Sequence, residues 1–135
     1  MAQEPYSAQV LDHFAQPRNL GRLPEANGRG TVGDLREGPV QITIAILVAR
    51  DQANDDRIVA ARFRAFGCSA AIASASMATV LLEGQTVGAA TAITSQAIET
   101  ALGGLPEERR YAPELTAEAV QMALADWQQR RTGTP

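Results

Sequence analysis

The sequence predicts an α+β protein in which a three-stranded antiparallel sheet carries helices on one face, with an N-terminal helix and a long C-terminal helix. Three observations carry that expectation. VQITIAILV, residues 40–48, alternates apolar positions at Val40, Ile42, Ile44 and Ile46, the pattern of a half-buried strand. RIVAARFRAF, residues 57–66, follows after the polar stretch DQANDD, and two strands joined so closely pair antiparallel. From residue 69 onward the apolar spacing becomes helical, so strands precede helices along the chain.

Each element has its own signal. Pro5 suits the first turn of a helix whose apolar stripe is Tyr6, Val10, Leu11 and Phe14. Pro17, Gly21, Pro24, Gly28 and Gly30 then break the chain into a long irregular crossing, a kind of segment that is often functional or mobile. TVGDLREGP, residues 31–39, is too rich in Gly and Pro for more than a short strand at Thr31 and Val32. In the second long strand Arg62 and Arg64 face opposite to Ala61, Phe63 and Ala65. Residues 69–83 read as a helix buried through Ile72, Ala73, Met77, Val80 and Leu81, with Gly84 as its C-cap. A small helix is expected over 87–92. Another, capped by Thr94 or Ser95, ends at Gly103-Gly104. LPEERRYAP reads as a loop, and residues 114–131 form the closing amphipathic helix through Leu115, Val120, Met122, Leu124 and Trp127. At 135 residues a single domain is expected, residues 1–135, with its core over about 5–131 and a frayed tail over 132–135.

Composition narrows the function classes. The formal net charge is -3 with 12 basic residues and no long basic run, which argues against nucleic acid or an anionic membrane as a partner. MAQEPYSAQV has no basic segment followed by an apolar run, so no signal peptide is expected. No apolar stretch approaches membrane-spanning length, and a cytoplasmic location is the expectation. Walker A, dinucleotide-type G-x-G-x-x-G, C-x-x-C and HExxH patterns are absent. The chain has one cysteine and one histidine, so no internal disulfide forms, and a Cys–His nucleophilic pair would need His13 beside Cys68.

Cys68 is the residue that invites chemistry. It sits in a Gly-Cys turn between a strand and a helix, where free N–H groups and the positive end of the helix dipole favour a thiolate. Arg62, Arg64 and Arg109 would add positive potential if they fold nearby. Against this stands a plainer reading, since free cysteine is often buried as a small hydrophobe. His13 is expected to pack or hydrogen-bond near its helix end and not to bind metal. Glu37 and Asp34 read as loop carboxylates facing water.

Four stretches carry a family resemblance: YSAQVLDHFAQPRNLG, then GTVGD, then RFRAFGCSAAIASAS, and finally the closing LTAEAVQMALADWQQRR. Together they resemble the IscU/NifU/SufU iron–sulfur cluster assembly scaffolds, with nearly gapless spacing from Tyr6 to about Arg131. The resemblance implies the same α+β fold and a site of three cysteines, helped by an aspartate or histidine, for a [2Fe–2S] cluster or zinc. Transferred position by position, that site has lost most of its donors. In GDLREGP, Glu37 stands at the first cysteine position and Pro39 at the aspartate position. Cys68 holds the second cysteine position, while in LPEERRYA, Tyr111 and Ala112 stand at the histidine and third cysteine positions.

The candidate metal residues are therefore Cys68 and Glu37, with Cys68 the retained cluster-ligand position and Tyr111 a poor third. A [2Fe–2S] centre commonly takes four protein ligands and structural zinc about four, so no cofactor is expected on the isolated monomer. A homodimer pairing two Cys68 with two Glu37 would supply more, although nothing in the sequence demands one. The partners implied by the resemblance are a cysteine desulfurase or other iron–sulfur assembly proteins. Hsp70-type chaperone recognition is not expected, because Glu107 and Glu108 place two acids inside the corresponding segment. Two readings stay open, neither of them an enzyme. One is a degenerate scaffold-family member, with impaired or absent cluster binding, acting through Cys68 in sulfur or metal transfer. The other is a binding or regulatory module that docks on assembly partners without metal.

Overall fold

The computed structural model of the chain describes residues 6–132. Its sheet has the order β1-β2-β3, from strands Gly28–Val32, Gln41–Arg50 and Asp56–Phe66, and both pairings are antiparallel. Helices Ala8–Ala15 (α1), Ser69–Leu82 (α2), Val87–Ala90 (α3), Ser95–Ala101 (α4) and Tyr111–Thr132 (α5) complete the fold, with a 3-10 turn at Glu107–Arg109 before α5. Ile42, Ile44 and Ile46 on β2 and Phe63 on β3 bury one face of the sheet beneath α2 and α5. Leu23 and Ala26 pack on Ala45 of the other face, so the 17–27 crossing is docked on the sheet.

The first strand is longer than its composition suggests. Gly28 and Gly30 belong to β1, opposite Ile46 and Ile44, instead of to the preceding loop. They are glycines because α5 lies against them. A Cβ at Gly28 would sit 2.6 Å from the Ala123 carbonyl oxygen, and one at Gly30 would overlap the Ala119 carbonyl and lie 2.7 Å from the Ala123 nitrogen. Here glycine marks close backbone approach within a strand.

The helix stripes also differ from the expected ones. α2 is buried almost all round, through Ala70, Ala71, Ala73, Ser74, Ala75, Ser76, Met77, Ala78, Thr79 and Leu82, whereas Val80 is exposed. A helix enclosed on several sides has no one-sided stripe to read. In α1, Val10 and His13 are buried but Leu11 and Phe14 are exposed. Met122 of α5 faces outward as well. Ser7 caps α1 by accepting from the Val10 amide, and Thr94 caps α4 by accepting from that of Ala97. The expected helix start at Pro5 and tail residues 133–135 lie outside the described residues, while Thr132 is helical. A β-bulge where Leu47 pairs with Ala60 and Val48 with Ile58 leaves Val59 exposed and keeps both Ile58 and Ala61 buried.

His13 ties α1 to α2. Its Nδ1 lies 2.7 Å from Ser76 Oγ, and that oxygen also accepts the Arg18 amide at 2.9 Å. Ser76 thus has its one proton free to donate to a neutral imidazole. Burial lowers the His13 pKa below 6.5, the Arg18 charge adds to the effect, and Asp12 opposes it.

Gly30→Val is expected to cost roughly 2–3 kcal/mol in urea unfolding, as overpacking does. Gly88→Ala, where an added Cβ meets nothing within 4 Å, should be neutral or stabilising by up to about 0.5 kcal/mol. For His13 the depressed folded-state pKa means that stability is full above the unfolded value of 6.5 and is lost as pH falls below it. Unfolding free energy measured against pH should show that decline in the wild type and a flatter profile in His13→Gln.

Candidate functional site

Three chain segments meet at one end of the sheet. Val32 pairs with Ile42 and Gln41 with Phe66, so the 33–40 loop and the Gly67-Cys68 turn leave the sheet at the same end. Val40 reaches the turn itself, because a Cβ on Gly67 would lie 3.4 Å from its side chain. Gly67 turns the chain at φ +153°, a conformation that side chains rarely adopt. Cys68 then stands at the N-cap of α2, with extended backbone, and its carbonyl accepts from the amides of Ala71 and Ile72.

The third segment is the start of α5. Helix begins at Tyr111 and not at 114, because Pro113 falls in the first turn, where its missing N–H is no loss. This brings the Tyr111 hydroxyl 2.9 Å from Cys68 Sγ. The bond holds the phenol protonated, and with burial and the charge of Cys68 it pushes the Tyr111 pKa from 10.0 up to about 12, against a smaller opposing effect of Arg109. At neutral pH Tyr111 is therefore a hydroxyl able to donate to the sulfur. Arg109 Nε donates to the Tyr6 hydroxyl at 3.2 Å, which adds Tyr6 to the same cluster.

The remaining positions are less well supplied. Glu37 is exposed in a turn closed by the Asp34 carbonyl, which accepts from the amides of Glu37 and Gly38. Asp34 is engaged with Arg36, whose side chain and amide both hold its pKa below the usual carboxylate range. Pro39 offers no donor atom from its side chain. Ala112 is fully buried, and its methyl group offers no donor atom. Arg62 and Arg64 are not near Cys68 as expected, since their positions on β3 face the other side of the sheet, and Arg109 alone of the three joins the cluster. Among the described residues no three His, Cys, Asp or Glu side chains come together in a way that would hold a metal ion. The donor set does not fit a [2Fe–2S] cluster or a structural zinc within one chain.

The sequence placed Tyr111 at a lost ligand position but did not show that it bonds to Cys68. Tyr6 was read only as part of an apolar stripe. Neither role has a local signal, because residues 6, 68 and 111 meet only in the folded chain.

Residues 5–134 match the family model described as NifU-like N terminal domain. The chain belongs to this family. It is 43% identical over 122 residues to a protein named iron-sulfur cluster assembly scaffold protein IscU 1 from Archaeoglobus fulgidus, covering 90% of this chain and 76% of the relative. A protein named iron-sulfur cluster assembly scaffold protein IscU from Aquifex aeolicus is 37% identical over 123 residues, covering 90% and 75%. A crystal structure titled as a putative iron-sulfur cluster assembly scaffold protein for the SUF system, from Fervidobacterium islandicum, superposes with a TM-score of 0.67 at 20% identity, covering 88% of this chain and 96% of that one. The last likeness shows the fold, and the NifU-like α+β architecture is the one described above. No helix among the described residues is long and apolar enough to cross a membrane.

The Tyr111–Cys68 bond is expected to show in an absorbance titration of tyrosinate in a Tyr6→Phe background, with circular dichroism followed in parallel. Tyr111 should ionise near pH 12, and adding Cys68→Ala should bring that value down, because the largest cause of the upward shift is removed.

Proposed function

We propose that this NifU-like protein acts in iron–sulfur cluster assembly as a single-thiol member of its scaffold family, accepting sulfur on Cys68 without holding a cluster on its own donors. The observation that supports this reading is Cys68 Sγ at the α2 N-cap, half-buried and 2.9 Å from the Tyr111 hydroxyl. Free N–H groups of the first helical turn and a neutral hydroxyl both stabilise negative charge on sulfur. The thiolate attacks the outer sulfur of a partner persulfide. A new S–S bond forms on Cys68, the partner's S–S bond breaks, and the partner leaves as a thiolate. In this reading the persulfide donor is a cysteine desulfurase, the partner that the family resemblance implies.

The scarcity of donors supports the negative half of the reading. A thiol acceptor needs one accessible sulfur, whereas a stable cluster needs about four ligands. Glu37 joins the thiol only if its loop closes over Cys68, or if a second chain supplies further donors.

Incubation with a desulfurase and cysteine should add one sulfur atom to the intact protein by mass spectrometry. Cys68→Ala should abolish the gain, and Tyr111→Phe should slow it by roughly tenfold, the worth of one hydrogen bond to a charged group. Anaerobic reconstitution with iron and sulfide should leave the monomer colourless. A charge-transfer band that disappears in Cys68→Ala would overturn the single-thiol reading. A protein that gains no sulfur but still binds assembly partners would instead be a docking module.

A further inference from the structure

The outer face of the sheet, away from the helices and from Cys68, carries a second feature. The pairing register aligns Arg29, Ala45 and Arg62 in one row across the three strands, and Thr31, Thr43 and Arg64 in the next. The docked crossing brings Arg22 over these rows. Between crossing and sheet lies a cleft of about 350 Å³, lined by Arg22, Arg29, Arg62 and Arg64 and by no carboxylate.

The chain has no lysine, so every cationic side chain is an arginine, and most of them are neutralised locally. Arg18, Arg36, Arg50, Arg57, Arg110 and Arg130 each hold a carboxylate within 3.1 Å. The cleft arginines differ. Arg22 and Arg64 make no side-chain hydrogen bond or ion pair among the described residues, and the Arg29 guanidinium donates only to the carbonyls of Leu23 and Pro24, while its backbone amide donates to Asp126. Arg62 is anchored by the Ala61 carbonyl at 2.8 Å and reaches Glu83 only at 3.7 Å. In a protein of net charge -3, the incompletely neutralised guanidiniums thus gather in one concavity. Like charges held this close repel one another, and an anion between them removes the penalty.

We propose that this cleft binds a compact ligand carrying two or more oxyanion groups, phosphate or carboxylate. Guanidinium forks suit these groups because they donate in pairs to planar or tetrahedral oxygens. Arg29 on β1, fixed by carbonyls of the crossing, and Arg62 on β3, fixed by the Ala61 carbonyl, grip separate ends of the ligand. Arg22 and Arg64 close over it. The small residues Thr43 and Ala45 on the central strand line its floor. The volume suits a small molecule, near the lower end of ordinary ligand sites, more than the broad face a docked protein requires.

The test is a titration of the isotope-labelled full chain, by NMR and calorimetry, with pyrophosphate, citrate and an oligoglutamate peptide at about 0.15 M salt. Binding of pyrophosphate, citrate or both is expected, with amide shifts centred on Arg22, Ala45 and Arg64. Preference between the two assigns a phosphate or a polycarboxylate ligand. The double variant Arg22→Glu/Arg64→Glu, altered only at exposed positions, should weaken binding at least roughly tenfold. Arg110→Glu, one such charge reversal on the helical side, should leave it within about twofold. Shifts scattered over the surface, equal affinity in the double variant, or binding of oligoglutamate alone would each overturn the proposal. None of these readouts depends on Cys68.

Discussion

The close seating of α5 on β1 is the constraint on which the rest of the structure depends. Backbone meets backbone there, at Gly28 and Gly30 against the carbonyls of Ala119 and Ala123. The contact sets both the height of α5 above the sheet and its position along its own axis. α2 is packed into the remaining space, which is why its surface is mostly alanine and serine and is buried nearly all round. With α2 and α5 fixed side by side, their N-terminal ends come together. Cys68 at one and Tyr111 at the other are left 2.9 Å apart.

That juxtaposition changes what the lone cysteine can do. A protonated phenol adds a donor aimed at the sulfur, and the rise of the Tyr111 pKa to about 12 keeps the proton on oxygen under physiological conditions. The arrangement suits a sulfur that carries charge or a second sulfur atom. It offers a metal little, because among the described residues no three His, Cys, Asp or Glu side chains gather to hold one.

The two faces of the sheet have divergent characters for one reason, the twofold alternation of a strand. Ile42, Ile44, Ile46 and Phe63 face the helices, so the residues between them must face away. Those residues include Arg62 and Arg64, which the same alternation removes from Cys68. The crossing that covers Ala45 leaves the guanidiniums at its margin. Of the three arginines weighed as neighbours of the thiol, Arg62 and Arg64 lie on the opposite side of the sheet and Arg109 lies by Tyr111.

Sequence alone determined the elements whose signals are local. Alternation identified β2 and β3, the Gly-Cys turn located the start of α2, an apolar stripe marked α1, and a hydroxyl cap placed α4. That Glu37, Pro39, Tyr111 and Ala112 stand at the family's ligand positions is what the resemblance implies. Tertiary structure decided what depends on the far side of a contact. Gly28 and Gly30 read as breakers until α5 explains them as the floor of a helix contact. Pro113 read as a stop until the first turn of α5 absorbs it. The buried sides of α1, α2 and α5 were misjudged at Leu11, Phe14, Val80 and Met122, because which side is buried depends on how many neighbours enclose a helix. The bond between Tyr111 and Cys68 joins residues 43 positions apart. No periodicity links them; the packing of two helix ends does.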